Sequence, residues 1–128
     1  ENGFRSFNIK NKDKFFHSSS GKLVSNKESS FKVPTLMIDS LNFKSKVNAI
    51  KIDTEGHELE VLIGLNKKIK TVRYILIEFH NDFIYRKYNP SKIHNYLKKN
   101  NFSLEVKFKF PFTTWEDRIY SNKDELKL

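Results

Sequence analysis

The sequence lacks cysteine altogether and uses glycine and proline sparingly, with four glycines and three prolines in 128 residues. The absence of cysteine excludes disulfide bonds and thiolate chemistry. It is compatible with a reducing compartment, so we expect a cytoplasmic location. Long apolar runs are also missing. Because a membrane-spanning helix needs about 20 consecutive apolar residues, no membrane span is predicted. The length fits one domain, or part of one.

The charge is strongly positive, with a formal net charge of +9 at pH 7. Such a surplus is typical of nucleic-acid-binding proteins. Here, however, the 20 lysines far outnumber the 4 arginines and are spread along the chain. A phosphate-binding surface would favour arginine, whose planar guanidinium matches phosphate geometry. The pattern therefore indicates a general bias toward lysine and asparagine, and we do not assign nucleic acid as a partner.

Apolar periodicity predicts alternating strands and helices within residues 33–128, after an irregular segment at 1–32. The predicted elements are strand Val47–Ile52, helix His57–Lys70, strand Thr71–Phe79, a helix opened by Asn89 and Pro90, and strands Phe102–Phe110 and Arg118–Ser121. The second strand is almost continuously apolar, which is typical of a strand covered on both faces. The third alternates, with its apolar side chains on one face, and the last is expected to pair with it as an antiparallel edge. This order predicts an α/β fold of βαβ units.

Acidic side chains and a histidine stand at the ends of the first two predicted strands. Asp53 and Glu55 come directly after the first strand, and Glu78 and His80 end the second. Ligands bind at the carboxyl ends of parallel strands, so we expect the four side chains to meet at one rim of the sheet. A carboxylate or an imidazole there can take the proton of an attacking hydroxyl group. These are the candidate catalytic residues.

Structural roles stay open for each of them. The two acidic residues after the first strand are also suited to capping the helix that follows. Glu78 is suited to a structural ion pair with Lys51 or Arg73, and His80 to an ordinary loop position.

A metal site is a further alternative, because Asp53, Glu78 and His80 offer the oxygen and nitrogen ligands of a divalent cation. Nothing in their spacing requires a metal, so none is assigned. Glu58 and Glu60 are expected to be solvated helix residues. Four aromatic residues are candidates for lining an acceptor pocket: Phe83, Tyr85, Tyr88 and Trp115.

The central segment resembles the signature of the FkbM-type S-adenosylmethionine-dependent methyltransferases. The matching letters are Lys51-Ile52-Asp53-x-Glu55-Gly56-x-Glu58-x-x-x-Leu62-x-Gly64, preceded by the Thr-Leu-Asp-like stretch Thr35–Asp39. The resemblance covers roughly Val33 to Lys123. It implies a class I (Rossmann-like) methyltransferase fold, S-adenosylmethionine as cofactor, and a sugar or other hydroxylated molecule as acceptor.

That fold also needs a glycine-rich turn after its first strand, and this sequence does not contain one. Its glycines, Gly3, Gly21, Gly56 and Gly64, do not have the required spacing. We therefore interpret the chain as the C-terminal half of a methyltransferase domain, a fragment that is inactive alone and lacks the main cofactor-binding half. Two alternatives stay open. One is a hydrolase that uses Asp53 and Glu78 as an acid–base pair. The other is a non-catalytic α/β module that binds a partner through a sheet edge.

Overall fold

The computed structural model describes residues 3–9, 21–24, 31–80, 89–109 and 111–126. The chain divides into two compact units, Glu1–Met37 and Ile38–Leu128. Together they give a mixed α/β protein with two sheets. No helix in the described ranges is long and apolar enough to cross a membrane.

The first unit contains a three-stranded antiparallel sheet. Its strands are β1 (Gly3–Ile9), β2 (Gly21–Val24) and β3 (Phe31–Thr35), in the order β2-β1-β3. Pro34 is tolerated because β3 lies at an edge of this sheet. Two of these strands fall within residues 1–32, the segment described above as irregular. Their sequence pattern is weak because β-strand formation depends more on pairing with neighbouring strands than on the intrinsic propensity of the residues. The boundary at residue 33 and the missing first half stay predictions.

The second unit contains a four-stranded mixed sheet with two α-helices. Its elements are β4 (Ala49–Ile52), α1 (Glu58–Leu65), β5 (Tyr74–His80), α2 (Pro90–Lys99), β6 (Phe102–Lys109) and β7 (Trp115–Asn122). The strand order is β4-β5-β7-β6, and β4 runs parallel to β5. The predicted pair of parallel strands joined by a helix is therefore confirmed. This pair fixes where the candidate site forms.

The core lies on one face of the sheet. Ile75, Ile77 and Phe79 alternate along β5 and are fully buried, together with Leu62 of α1 and Leu97 of α2. The other face of β5 is more open, and Tyr74 on it is 39% exposed. Among the described residues, the prediction that this strand is covered on both faces is therefore wrong.

The helix α1 is shorter than predicted. It ends at Leu65, and a 3₁₀-helix, Asn66–Thr71, continues the chain. The side chain of Asp39 explains this change, because its carboxylate accepts hydrogen bonds from the Lys68 amide at 3.3 Å and from the Asn66 side chain at 3.0 Å. The start of α2 is as predicted. The Asn89 side chain accepts a hydrogen bond from the Lys92 amide at 3.1 Å, and Pro90 lies in the first turn.

The C-terminal hairpin differs from the prediction in two ways. The last strand is eight residues long and lies between β5 and β6, so it is a central strand rather than an edge. A β-bulge separates Leu104, which pairs with Tyr120, from Val106, which pairs with Ile119. Because a one-residue slip moves side chains to the opposite face, the apolar residues of β6 do not share one face.

Candidate functional site

The parallel pairing of β4 and β5 brings their carboxyl ends to the same rim. Ile52, the last residue of β4, pairs with Ile77, so Asp53 follows on one strand as Glu78 follows on the other. His80 ends β5 on the same face as Glu78, two residues further along. The sequence pattern predicts this meeting of strand ends, and the structure has the same arrangement.

The turn between β4 and α1 carries Glu55 into the rim. Glu55 has a φ of 52° and Gly56 a φ of 97°, so two successive residues take left-handed conformations. Glycine adopts such a conformation without steric cost, whereas a glutamate does not. The tight turn therefore depends on an interaction that holds Glu55 in place.

That interaction is made by Glu58, the first residue of α1. Its Oε1 accepts hydrogen bonds from the amides of Thr54 and Gly56, both at 3.1 Å, and from the Thr54 hydroxyl at 3.3 Å. The Glu58 side chain is fully buried. The prediction that it is solvated is therefore wrong. The sequence contains a signal for this arrangement. Thr54 and Glu58 resemble the threonine and glutamate of a capping box, but they are four residues apart instead of three.

Four predicted side chains converge at this rim. Nε2 of His80 lies 3.5 Å from Oε1 of Glu78 and 3.9 Å from Oε2 of Glu55. One donor atom from each of Asp53, Glu55 and His80 lies within 4.8 Å of the others. The imidazole is buried, whereas the carboxylates of Asp53 and Glu55 are 37% and 35% exposed. The rim can therefore be reached from solvent, with the histidine at its base.

Negative charge dominates the rim. Burial raises the pKa of Glu78, and the charge of Asp53 raises it further, while His80 opposes the rise. Asp117 of β7 pairs with Glu78 across the sheet and also raises its pKa. Nothing in the sequence marked Asp117, because the register of β7 against β5 cannot be read from the pattern.

Lys51 provides a nearby positive charge on an exposed side chain. Its Nζ lies 3.2 Å from Oδ2 of Asp53, and the lysine side chain is 56% exposed. The hydrogen bond to Asp53 raises the pKa of Lys51. One structural alternative left open for Glu78 was an ion pair with Lys51 or Arg73. The hydrogen-bond partner of Lys51 is instead Asp53, the more exposed of the two carboxylates.

One of the candidate aromatic residues is near the site. Trp115 pairs with His80 across β5 and β7 and is partly buried. The other three candidates, Phe83, Tyr85 and Tyr88, lie outside the described residues. A role for any of them in an acceptor pocket stays a prediction.

Comparison with known proteins identifies the family to which the chain belongs. The sequence model of the Methyltransferase FkbM domain matches residues 2–104, and the chain belongs to that family. FkbM methyltransferases depend on S-adenosylmethionine. The match begins well before residue 33, so the N-terminal segment belongs to the family domain as well.

A curated relative is the hexuronic acid methyltransferase AglP of Haloferax volcanii. It is 30% identical over 82 residues, which cover 62% of this chain and 32% of the relative. The chain thus spans about a third of the length of that relative. No solved structure matches the chain. Family membership favours the methyltransferase interpretation over the hydrolase and the non-catalytic module.

Replacing Glu58 tests its role in the turn. Glu58→Ala leaves the buried amides of Thr54 and Gly56 without their acceptor, so we expect a loss of about 1–3 kcal/mol in the free energy of unfolding. Urea denaturation followed by circular dichroism measures this change. Glu60→Ala, on the exposed side of the same helix, is the control and should stay within about 0.5 kcal/mol of the parent. Equal effects of the two substitutions would contradict the proposed role.

Replacing Glu78 tests the electrostatics of the rim. The pKa of Glu78 is raised above its usual 4.5 in the folded chain, so the folded state holds this proton more tightly than the unfolded state. As the pH rises from 4.5 through the raised pKa, stability is lost. Glu78→Gln cannot ionise, so we expect it to be more stable than the parent at pH 7 and equally stable near pH 4.

Urea denaturation at a series of pH values measures this difference. The exposed Glu60→Gln variant should show no such pH-dependent gain. A Glu78→Gln variant that is less stable than the parent at pH 7 would show that attraction to His80 outweighs burial and repulsion.

Proposed function

We propose that this chain is the C-terminal half of an FkbM-type methyltransferase that methylates a hydroxyl group of a sugar or a similar acceptor. The observation that carries the proposal is the convergence of Asp53, Glu55, Glu78 and His80 at the carboxyl rim of a parallel strand pair. Parallel α/β sheets keep their active sites at this rim. Family membership supplies the reaction class, and the rim supplies groups of the right chemistry.

The rim residues are suited to removing a proton from the acceptor. S-adenosylmethionine supplies an electrophilic methyl group, and an oxygen nucleophile becomes more reactive as its proton leaves. Glu78 and His80 lie 3.5 Å apart, so a proton taken by one is stabilised by the other. The raised pKa of Glu78 makes this carboxylate a stronger base than an ordinary surface glutamate.

The charge of the rim and the relative both support the proposed acceptor class. AglP is named for a hexuronic acid, a sugar that carries both hydroxyl groups and a carboxylate. A bare carboxylate is repelled by Asp53, Glu55 and Glu78, whereas a neutral hydroxyl is not. We therefore propose that a sugar hydroxyl is the group presented to this rim.

The residues of this chain fit only part of a cofactor-binding site. Gly3 and Gly21 lie in the strands β1 and β2, and Gly64 lies within α1, so these three glycines do not form a glycine-rich turn after a strand. The described part of the second unit instead presents an unpaired edge of β4 beside an apolar hollow of about 650 Å³. Leu41 and Phe43 line this hollow and are 38% and 47% exposed. These features support a missing first half that would extend the sheet there.

The half-domain proposal predicts weak cofactor binding. We expect the 128-residue chain to bind S-adenosylmethionine weakly or not at all in a calorimetric titration, because the glycine-rich half that should hold the cofactor is absent from it. The complete protein is expected to bind it clearly. Low-micromolar affinity of the isolated chain would show that the proposal of a missing cofactor half is wrong.

The catalytic proposal predicts a loss of rate in the complete enzyme. Removing a positioned general base typically slows a reaction by about 10²–10⁴-fold. We expect Asp53→Asn and His80→Ala to reduce methyl transfer far more than they weaken cofactor binding, as measured by transfer of a radiolabelled methyl group and by calorimetry. Glu60→Gln, on the exposed side of α1, is the control. Parental turnover in both rim variants, with the fold intact, would mean that these residues are structural.

A further inference from the structure

We propose that the rim binds a divalent cation through Asp53, Glu55 and His80. One ligand atom of each residue lies within 4.8 Å of the other two. The sequence alone suggests a different set, with Glu78 in place of Glu55, and does not require a metal. The left-handed turn at Glu55 changes the set, because it carries this carboxylate to the strand end where His80 lies.

The mixture of ligands points to a particular class of cation. Two carboxylate oxygens and one imidazole nitrogen suit Mn²⁺ or Zn²⁺, whereas Mg²⁺ and Ca²⁺ prefer oxygen ligands alone. Asp53 and Glu55 are 37% and 35% exposed, so they can move the roughly 1–2 Å that separates this arrangement from bonding distances. The buried His80, held at the end of β5, provides the fixed ligand.

A second observation comes from Glu58, which is not one of the three ligands. Its Oε1 accepts hydrogen bonds from the amides of Thr54 and Gly56, on both sides of Glu55. These bonds hold the Glu55 carboxylate close to the rim. The other oxygen of Glu58, Oε2, is buried without a hydrogen-bond partner among the described residues. A buried carboxylate oxygen without a donor is costly unless positive charge lies nearby. A cation bound by Glu55, whose two flanking amides donate to the Glu58 carboxylate, would place positive charge in the neighbourhood of that carboxylate.

The cation would also explain how an acidic rim accepts a sugar, and this step rests on the function proposed above. Three protein ligands leave open positions on a six-coordinate cation. Two oxygens of a sugar, either neighbouring hydroxyls or a hydroxyl and a carboxylate, can occupy them.

Direct metal binding tests the inference without cofactor or acceptor. The 128-residue chain is titrated with Mn²⁺, and free Mn²⁺ is measured by electron paramagnetic resonance. We expect one site, displaced by equimolar Zn²⁺ but only by a large excess of Mg²⁺. Asp53→Asn and Glu55→Gln should each weaken binding at least about tenfold, since even the loss of an outer-shell partner costs about 10- to 100-fold. Both residues are partly exposed, and circular dichroism verifies that the variants fold.

Glu60→Gln is the matched control, because it removes one exposed acid from the same segment and should leave Mn²⁺ binding unchanged. Binding of the parent chain no tighter than about 1 mM, the weak end for carboxylate sites, would overturn the inference. Equal weakening by all three variants would overturn it too, since it would indicate general charge attraction. If Mn²⁺ binds as expected but the rim variants of the complete enzyme keep their turnover, the metal site stands and the catalytic proposal fails.

Discussion

The parallel pairing of β4 with β5 is the constraint on which the candidate site depends. Both strands end at the same rim, and the pairing of Ile52 with Ile77 sets how far each strand extends beyond the ladder. This register alone brings Asp53 and Glu78 to the same level of the two strands, and no further contact is needed to bring them together. A shift of one residue would send the side chains of one strand to the opposite face of the sheet. The buried core of Ile75, Ile77 and Phe79 resists such a shift and so protects the site.

The turn after β4 provides the second half of the arrangement. The strand alone would place Asp53 at the rim but not Glu55, which needs the left-handed backbone at residues 55 and 56. The buried carboxylate of Glu58 accepts the amides on both sides of Glu55 and so maintains that backbone. In this turn a buried residue outside the rim cluster determines that Glu55 belongs to it. This division of roles explains why a glutamate at the first position of α1 is buried.

The sequence predicted the parts of the fold that repeat a local pattern. The parallel pair, the cap at Asn89 and Pro90, and the meeting of Asp53 with the end of β5 follow from periodicity and from strand ends. Glu55 reaches the rim through its left-handed turn, which the periodicity does not predict. The sequence did not predict features that depend on distant pairing, such as the central position of β7 and the bulge in β6. Asp117 belongs to the same class, because its position opposite Glu78 depends on the register of two strands about 40 residues apart in the chain.

The negative charge of the rim is balanced by positive groups close to it, and not by the net positive charge of the whole chain. The chain carries a net charge of +9, yet its lysines are spread along the sequence. At physiological salt, charges separated by more than about 8 Å of solvent are largely screened. Asp53, Glu55 and Glu78 therefore interact mainly with one another and with groups in direct contact. Lys51 contacts Asp53 through an exposed side chain, and His80 lies 3.5 Å from Glu78. Two carboxylates and one histidine whose ligand atoms lie within 4.8 Å of one another form a ligand set for a divalent cation, and the proposed metal site would balance the rim locally, which the net charge of the chain cannot do.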